Sequence, residues 1–202
     1  SQTLGSLAEC YAHALAIERE AVLRSSQFAE FLGEFGEEET AGLFRRLAEF
    51  EREQVRQLER RAAGLPLPAL RAWEHSWIDN APAEQVDRRL VFHLMTPHDA
   101  LKIALGAERR ALALYQRTVA ASDDAEMQRL ARELAGEEQE HIELLEDGLR
   151  KVPRPLISEA DFEALFSAAS RRVDEGHGKH RILAGLAQRR ILVIGHERRR
   201  HA

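Results

Sequence analysis

Cysteine, glycine, proline and aromatic residues are all scarce in this sequence. The single cysteine, Cys10, excludes an internal disulfide and any four-cysteine rubredoxin-like or iron–sulfur module on this chain. With 12 glycines, 6 prolines and 6% aromatic residues, the chain is dominated by Ala, Leu, Glu and Arg. That composition favours helices, so we expect an all-α protein.

Long apolar runs are also missing. No stretch approaches 18 uncharged apolar residues, so no membrane-spanning helix is expected. The first residues lack a charged start followed by a continuous apolar block, and the sequence therefore predicts no secretory signal peptide. The cytoplasm is the expected location. The length of 202 residues suits one domain with an appendage.

The formal net charge of −5 is unevenly distributed. Residues 171–202 contain nine Lys or Arg and three Asp or Glu, so this tail carries +6 and the remainder carries −11. A basic tail is one pattern found in nucleic-acid-binding proteins. Neither interleaved aromatic residues nor a recognised nucleic-acid-binding module accompanies it, so no nucleic-acid partner is expected.

Apolar residues that recur at steps of three and four predict four long helices. They cover about 4–32, 37–63, 97–121 and 125–151, with turns at Gly33–Gly36 and Ser122–Asp124. Thr96 and Pro97 predict the start of the third helix, as an N-cap followed by a first-turn proline. Two hairpins joined by a crossover over 64–96 predict a ferritin-like four-helix bundle over residues 1–152.

Two further regions are predicted to be helical. A short helix is expected within the crossover, over about 83–95. Residues 153–202 are predicted to form a helical, basic C-terminal extension, with helices to about 174 and over 180–194. The apolar run Ile191–Ile194 is expected to dock on the bundle or on a second subunit.

Each long helix carries one glutamate in the middle of its apolar seam. These are Glu18, Glu51, Glu108 and Glu138. In an antiparallel hairpin, two residues that stand level with each other have residue numbers whose mean falls at the turn. The first pair averages to 34.5 and the second to 123, which are the two predicted turns. Each glutamate lies 15–17 residues from its turn, about 22–25 Å along a helix, so all four are expected in one layer.

The two predicted hairpins resemble each other. The sequence ALAIER at 14–19 recurs as ALGAER at 104–109, and AEFEREQ at 48–54 recurs as AGEEQEH at 135–141. This is an internal repeat of a helical hairpin that keeps the acidic position. The repeat places Gln54 of the first half where the second half has His141.

A metal centre is the leading explanation for this glutamate layer. Four buried carboxylates repel one another unless protons or cations compensate them, and two divalent ions would supply +4 against −4. His141 shares a helix face with Glu138, and oxygen ligands with one nitrogen suit iron or manganese. The alternative is that Arg19, Arg52, Arg109 or other basic residues fold back and pair with the glutamates. However, Arg19, Arg52 and Arg109 adjoin the glutamates in sequence and point about 100° away on the helix.

Residues 4–150 resemble the rubrerythrin family of ferritin-like di-iron proteins. That family places a glutamate on helices one and three, and Glu-x-x-His on helices two and four. The match covers Glu18, Glu51, Glu108, Glu138 and His141. It departs at Gln54, where the other histidine would stand, and at Ala111, where rubrerythrins have a further glutamate.

The resemblance implies a cofactor of two iron ions, or manganese, with Gln54 as a sixth candidate ligand. It also implies the reduction of peroxide or oxygen coupled to iron oxidation, in a homodimer. Electrons would come from a separate donor protein, because the cysteine-rich domain is missing. Tyr115 stands two turns after Glu108 on the same seam and is a further catalytic candidate, and its alternative role is a core residue.

Two other functions stay open at this stage. One is iron binding or storage without turnover, which the same ligands would support. The other is a non-catalytic helical adaptor that keeps the bundle and docks on an acidic partner through its basic tail.

Overall fold

The described part of the chain is built from four long α-helices. The computed structural model describes residues 4–70 and 95–154. The helices are α1 (Leu7–Glu34), α2 (Glu38–Arg61), α3 (Pro97–Ala121) and α4 (Ala125–Lys151), and they belong to one compact unit. Residues 4–70 and 95–154 contain no strand. The predicted all-α four-helix bundle is confirmed, with helix ends within a few residues of those predicted.

The helices pair as two hairpins. Helix α1 packs along α2, and α3 packs along α4, with further contacts from α1 to α3 and α4 and from α2 to α4. Residues 62–96 join the hairpins. A connection of this length suits a bundle with one crossover, as the sequence predicts.

Both hairpin turns lie where the sequence places them. Gly36 has φ +77°, a left-handed conformation that strains any side-chain-bearing residue. In the other turn, the Asp124 carboxylate accepts hydrogen bonds from the backbone N–H groups of Glu126 and Met127, at 2.8 and 3.1 Å. Together the two turns set which residues of each hairpin stand level.

The apolar seams meet in a core to which every helix contributes. Leu15, Leu58, Tyr115 and Leu130 belong to one buried cluster, one residue from each helix. Nearer the first turn, the rings of Phe28 and Phe44 pack edge to face, with centroids 5.1 Å apart. Burial of these seams provides most of the driving force that holds the helices together.

Some predictions concern residues that the structure does not describe. They are the short helix over 83–94, the two helices after residue 154, and the basic tail. Met95, at the end of the predicted short helix, is not helical. Among the helices in residues 4–70 and 95–154, none combines the length and the apolar character needed to cross a membrane.

Two glycines of α4 lie in opposite environments and provide a matched test of packing. A Cβ added to Gly148 would lie 2.7 Å from Leu43 Cδ1 and 3.3 Å from Leu101 Cδ2. A Cβ added to Gly136 would have no atom within 4 Å. The substitution Gly136→Ala is expected to raise the free energy of unfolding by about 0.5–1 kcal/mol, through helix propensity. Gly148→Ala is expected to be less stable than Gly136→Ala by about 1–3 kcal/mol, because it overpacks the core.

Equilibrium denaturation followed by circular dichroism measures both values on the full chain. Equal stabilisation by the two substitutions would contradict the close approach of α4 to Leu43.

Candidate metal centre

The four seam glutamates are all buried in the bundle. Glu18, Glu51, Glu108 and Glu138 have exposed fractions of 0–2%. The carboxyl groups of Glu18 and Glu51 are close enough to share a proton, and so are those of Glu108 and Glu138. The two hairpins therefore bring their glutamates to a common layer, as the turn arithmetic predicts.

Several polar atoms in and beside this layer have no hydrogen-bond partner. Apart from protons shared between the carboxyl groups themselves, no N–H or O–H donor of the described residues reaches either carboxylate oxygen of Glu51 or Glu138. Nδ1 of His141 is also buried without a partner, and so is Oε1 of Gln54, one turn after Glu51 on α2. Buried polar groups are nearly always satisfied in native proteins, so unpartnered atoms in one layer require protons or a cation.

His141 lies among the carboxylates. Its Nδ1 atom is 3.3 Å from Glu51 Oε1 and 3.9 Å from Glu138 Oε2, without hydrogen-bond alignment to either. Burial lowers the pKa of His141, although the negative charge of Glu108 acts in the opposite direction. The imidazole is therefore favoured as a neutral ring, which is the form that ligates metals. The ring of Phe50 stacks on it, with an interplanar angle of 11°.

Three of the predicted ligands form a group that could hold a metal ion. Glu51, Glu108 and His141 each offer one ligand atom, and these atoms lie within 4.8 Å of one another. The three residues come from three different helices and are all buried. Two carboxylates and an imidazole fit iron or manganese, and a cation would also satisfy the unpartnered oxygens of Glu51.

The carboxyl groups of Glu18, Glu51 and Glu138 resist ionisation when no cation is present. Burial raises the pKa of Glu18 to about 7, with the charge of Glu108 adding to the effect. Burial and the charges of neighbouring carboxylates also raise the pKa of Glu51 and Glu138 well above the ordinary value. At neutral pH the layer therefore keeps protons, which a metal ion would displace.

The arginines adjacent to the glutamates point away from the layer, as expected. Arg19 pairs with Glu59 at 2.7 Å, and Arg109 pairs with Glu146 at 2.7 Å. Arg52 donates to the hydroxyl of Ser26 at 2.8 Å.

A different arginine, Arg24, does reach the layer. Its Nη2 atom donates to Glu108 Oε1 at 3.1 Å, and its side chain is 14% exposed. The sequence interpretation allowed for pairing by other basic residues but named only the arginines adjacent to glutamates, so it did not identify Arg24. The sequence did hold an indication of this pair. Arg24 is next to the seam residue Ser25, and from that position a long side chain can reach the layer.

The remaining candidates are Tyr115, which lies near the carboxylates, and Gln54, which stands one turn after Glu51 on α2. Gln54 is half-buried, with its unpartnered Oε1 turned away from solvent. Tyr115 is fully buried, and its hydroxyl has no hydrogen-bond partner among the described residues. Burial raises the pKa of Tyr115, and the nearby charges of Glu18 and Glu138 raise it further. Tyr115 therefore belongs to the core cluster and also lies close to the carboxylates. Its catalytic role stays a prediction.

The raised pKa of Glu18 predicts how the stability of the metal-free protein depends on pH. The folded state binds this proton more tightly than the unfolded state, in which the pKa is about 4.5. The stabilisation is complete below pH 4.5 and is lost as the pH rises through about 7. The loss due to Glu18 is on the order of 3 kcal/mol. In Glu18→Gln, the free energy of unfolding should fall less steeply over this range.

Denaturation in the presence of a chelator, repeated at several pH values, measures the slope. The exposed Glu49→Gln substitution is the control and should follow the wild type. An equally steep fall in Glu18→Gln would show that Glu18 is not the titrating group.

Comparison with known proteins identifies a relative. No protein-family model and no curated protein matches the chain. The crystal structure of an uncharacterized conserved protein from Magnetospirillum magnetotacticum is similar, with 34% sequence identity and a TM-score of 0.68. The match covers 76% of this chain and 100% of the other. Because the match covers the whole of that protein at this level of identity, the chain belongs to the same family as this uncharacterized conserved protein.

Proposed function

We propose that the protein binds iron, or manganese, in the glutamate layer and reduces peroxide or oxygen in the manner of rubrerythrin-type di-iron proteins. The buried group of Glu51, Glu108 and His141 carries this proposal. The unpartnered oxygens of Glu51 and Glu138 support it, because a bundle that needed only stability would fill these positions with apolar residues.

The layer offers more ligands to a first metal ion than to a second. Glu51, Glu108 and His141 would hold the first ion, with Glu138 beside them. Glu18 and Gln54 remain for a second ion, and the amide oxygen of Gln54 is a neutral and weaker donor than an imidazole. The second ion is therefore expected to bind less tightly than the first.

The surrounding residues would manage protons and exclude water. Reduction of hydrogen peroxide to two water molecules consumes two protons and two electrons, and bound iron supplies the one-electron redox chemistry. While no ion occupies the second position, Glu18 can hold a proton at its carboxyl group, because burial raises its pKa to about 7 in the metal-free protein. We expect the electrons to come from a separate donor. That donor and the homodimer stay predictions.

A second candidate function is metal binding without turnover. It is favoured by Gln54, which leaves the first hairpin without the histidine found in the second. An adaptor role for the basic tail concerns residues outside the described ranges.

Iron loading under anaerobic conditions tests the binding step. The full chain is expected to retain at least one iron per chain after removal of free metal. Glu138→Gln should weaken binding about tenfold or more, because it removes a charged oxygen donor from the layer. Glu140→Gln, on the exposed face of the same helix, should bind as the wild type does. Elemental analysis after dialysis gives the ratio, and only trace iron in the wild type would reject the proposal.

Peroxide consumption with an added reductant separates the two candidate functions. The iron-loaded protein is expected to consume peroxide faster than the same concentration of free iron, and only while reductant remains. His141→Gln should slow this at least tenfold, because it removes the imidazole that the described residues contribute to the layer. Glu140→Gln should not change it. Stoichiometric iron with a rate no higher than that of free iron would assign the protein to binding alone.

A further inference from the structure

Arg24 brings a permanent positive charge into the glutamate layer. Its guanidinium is largely buried and donates one hydrogen bond, from Nη2 to Glu108 Oε1 at 3.1 Å. Its Nε and Nη1 atoms are buried without an acceptor among the described residues. A guanidinium does not lose its proton in proteins, so this charge is present at every relevant pH.

The charge acts on more than one carboxylate. Besides its hydrogen bond to Glu108, it stabilises the ionised forms of Glu18 and Glu51. With His141 and Gln54 neutral, four ionised glutamates and Arg24 give the layer a formal charge of −3 instead of −4. Two divalent ions would then leave a charge of +1 in a buried site, whereas one ion would leave −1, which a single proton kept by the carboxyl groups neutralises.

Arg24 also restricts how Glu108 can bind a metal ion. Its hydrogen bond takes up one lone pair of Oε1, so the guanidinium and a metal ion would compete for that oxygen and not for Oε2. Glu108 would therefore serve as a ligand through one oxygen within the group it forms with Glu51 and His141.

We infer that Arg24 is a resident cation that limits the layer to one tightly held divalent ion, at Glu51, Glu108 and His141. A second ion, beside Glu18 and Gln54, binds weakly because the guanidinium repels it. This inference rests on the proposed metal binding and adds a residue that sets how many ions the layer holds. Arg24 acts here through charge and through Glu108, as a positioning residue.

Titration with Mn²⁺ tests the inference without any need for activity. Electron paramagnetic resonance counts the free Mn²⁺ at each addition, and two adjacent bound ions give a spin-coupled signal that a single ion does not. The wild-type full chain is expected to bind one Mn²⁺ tightly and a second at least tenfold more weakly. Arg24→Met should tighten the second site about tenfold or more and produce the coupled signal.

Three further variants complete the design. Arg24→Lys keeps the charge and should behave as the wild type. Arg24→Gln removes the charge but keeps an N–H donor for Glu108, and it replaces Arg24→Met if that variant does not fold. Arg52→Met removes an arginine that bonds Ser26 outside the layer and should leave both sites unchanged.

The outcomes separate this inference from the proposed function. If Arg24→Met and Arg24→Gln bind the second Mn²⁺ no more tightly than the wild type does, the role of Arg24 is overturned and the proposed metal binding is not. A charge-retaining Arg24→Lys that gains the second site overturns it as well. Absence of Mn²⁺ binding in the wild type and in every variant overturns the proposed metal binding itself.

Discussion

Four carboxylates buried in one layer are the constraint on which the rest of this bundle depends. Glu18, Glu51, Glu108 and Glu138 lie on four helices and are almost completely hidden from solvent. Unneutralised, such a layer would oppose folding by several kcal/mol, because desolvation and mutual repulsion act in the same direction. The negative charge of the layer must therefore be neutralised. Three means are available: shared protons, the Arg24 guanidinium and a metal ion.

The precision of the layer comes from the two turns. Each hairpin has two long helices, so one residue more or less in either turn would shift the facing glutamates by 1.5 Å along the axis and 100° around it. Gly36, in its left-handed conformation, and the Asp124 cap prevent such a shift. Apolar packing holds the helices side by side, but it is the turns that determine which residues stand level. Site geometry in this bundle is thus encoded far from the site.

This division explains what the sequence could and could not predict. Helix periodicity and turn residues are local signals, so the four helices and the level of their glutamates follow from sequence alone. Contacts made by the ends of long side chains are not local. The pairing of Arg24 with Glu108 depends on how closely α1 approaches α3, and the stacking of Phe50 on His141 depends on ring orientation. The close approach at Gly148 likewise depends on the crossing of three helices.

The internal repeat shows where the two halves differ. Two of the differences have the same kind of effect on the attraction between the layer and cations. Gln54 in the first half corresponds to His141 in the second, and Arg24 corresponds to Leu114. One difference removes a nitrogen ligand and the other adds a positive charge beside the carboxylates. Each would weaken the attraction of the layer for a second cation, through ligand strength in one case and through charge in the other. A pseudo-symmetric scaffold can thus present an asymmetric site, in which one position is completed by His141 and the other is balanced by Arg24.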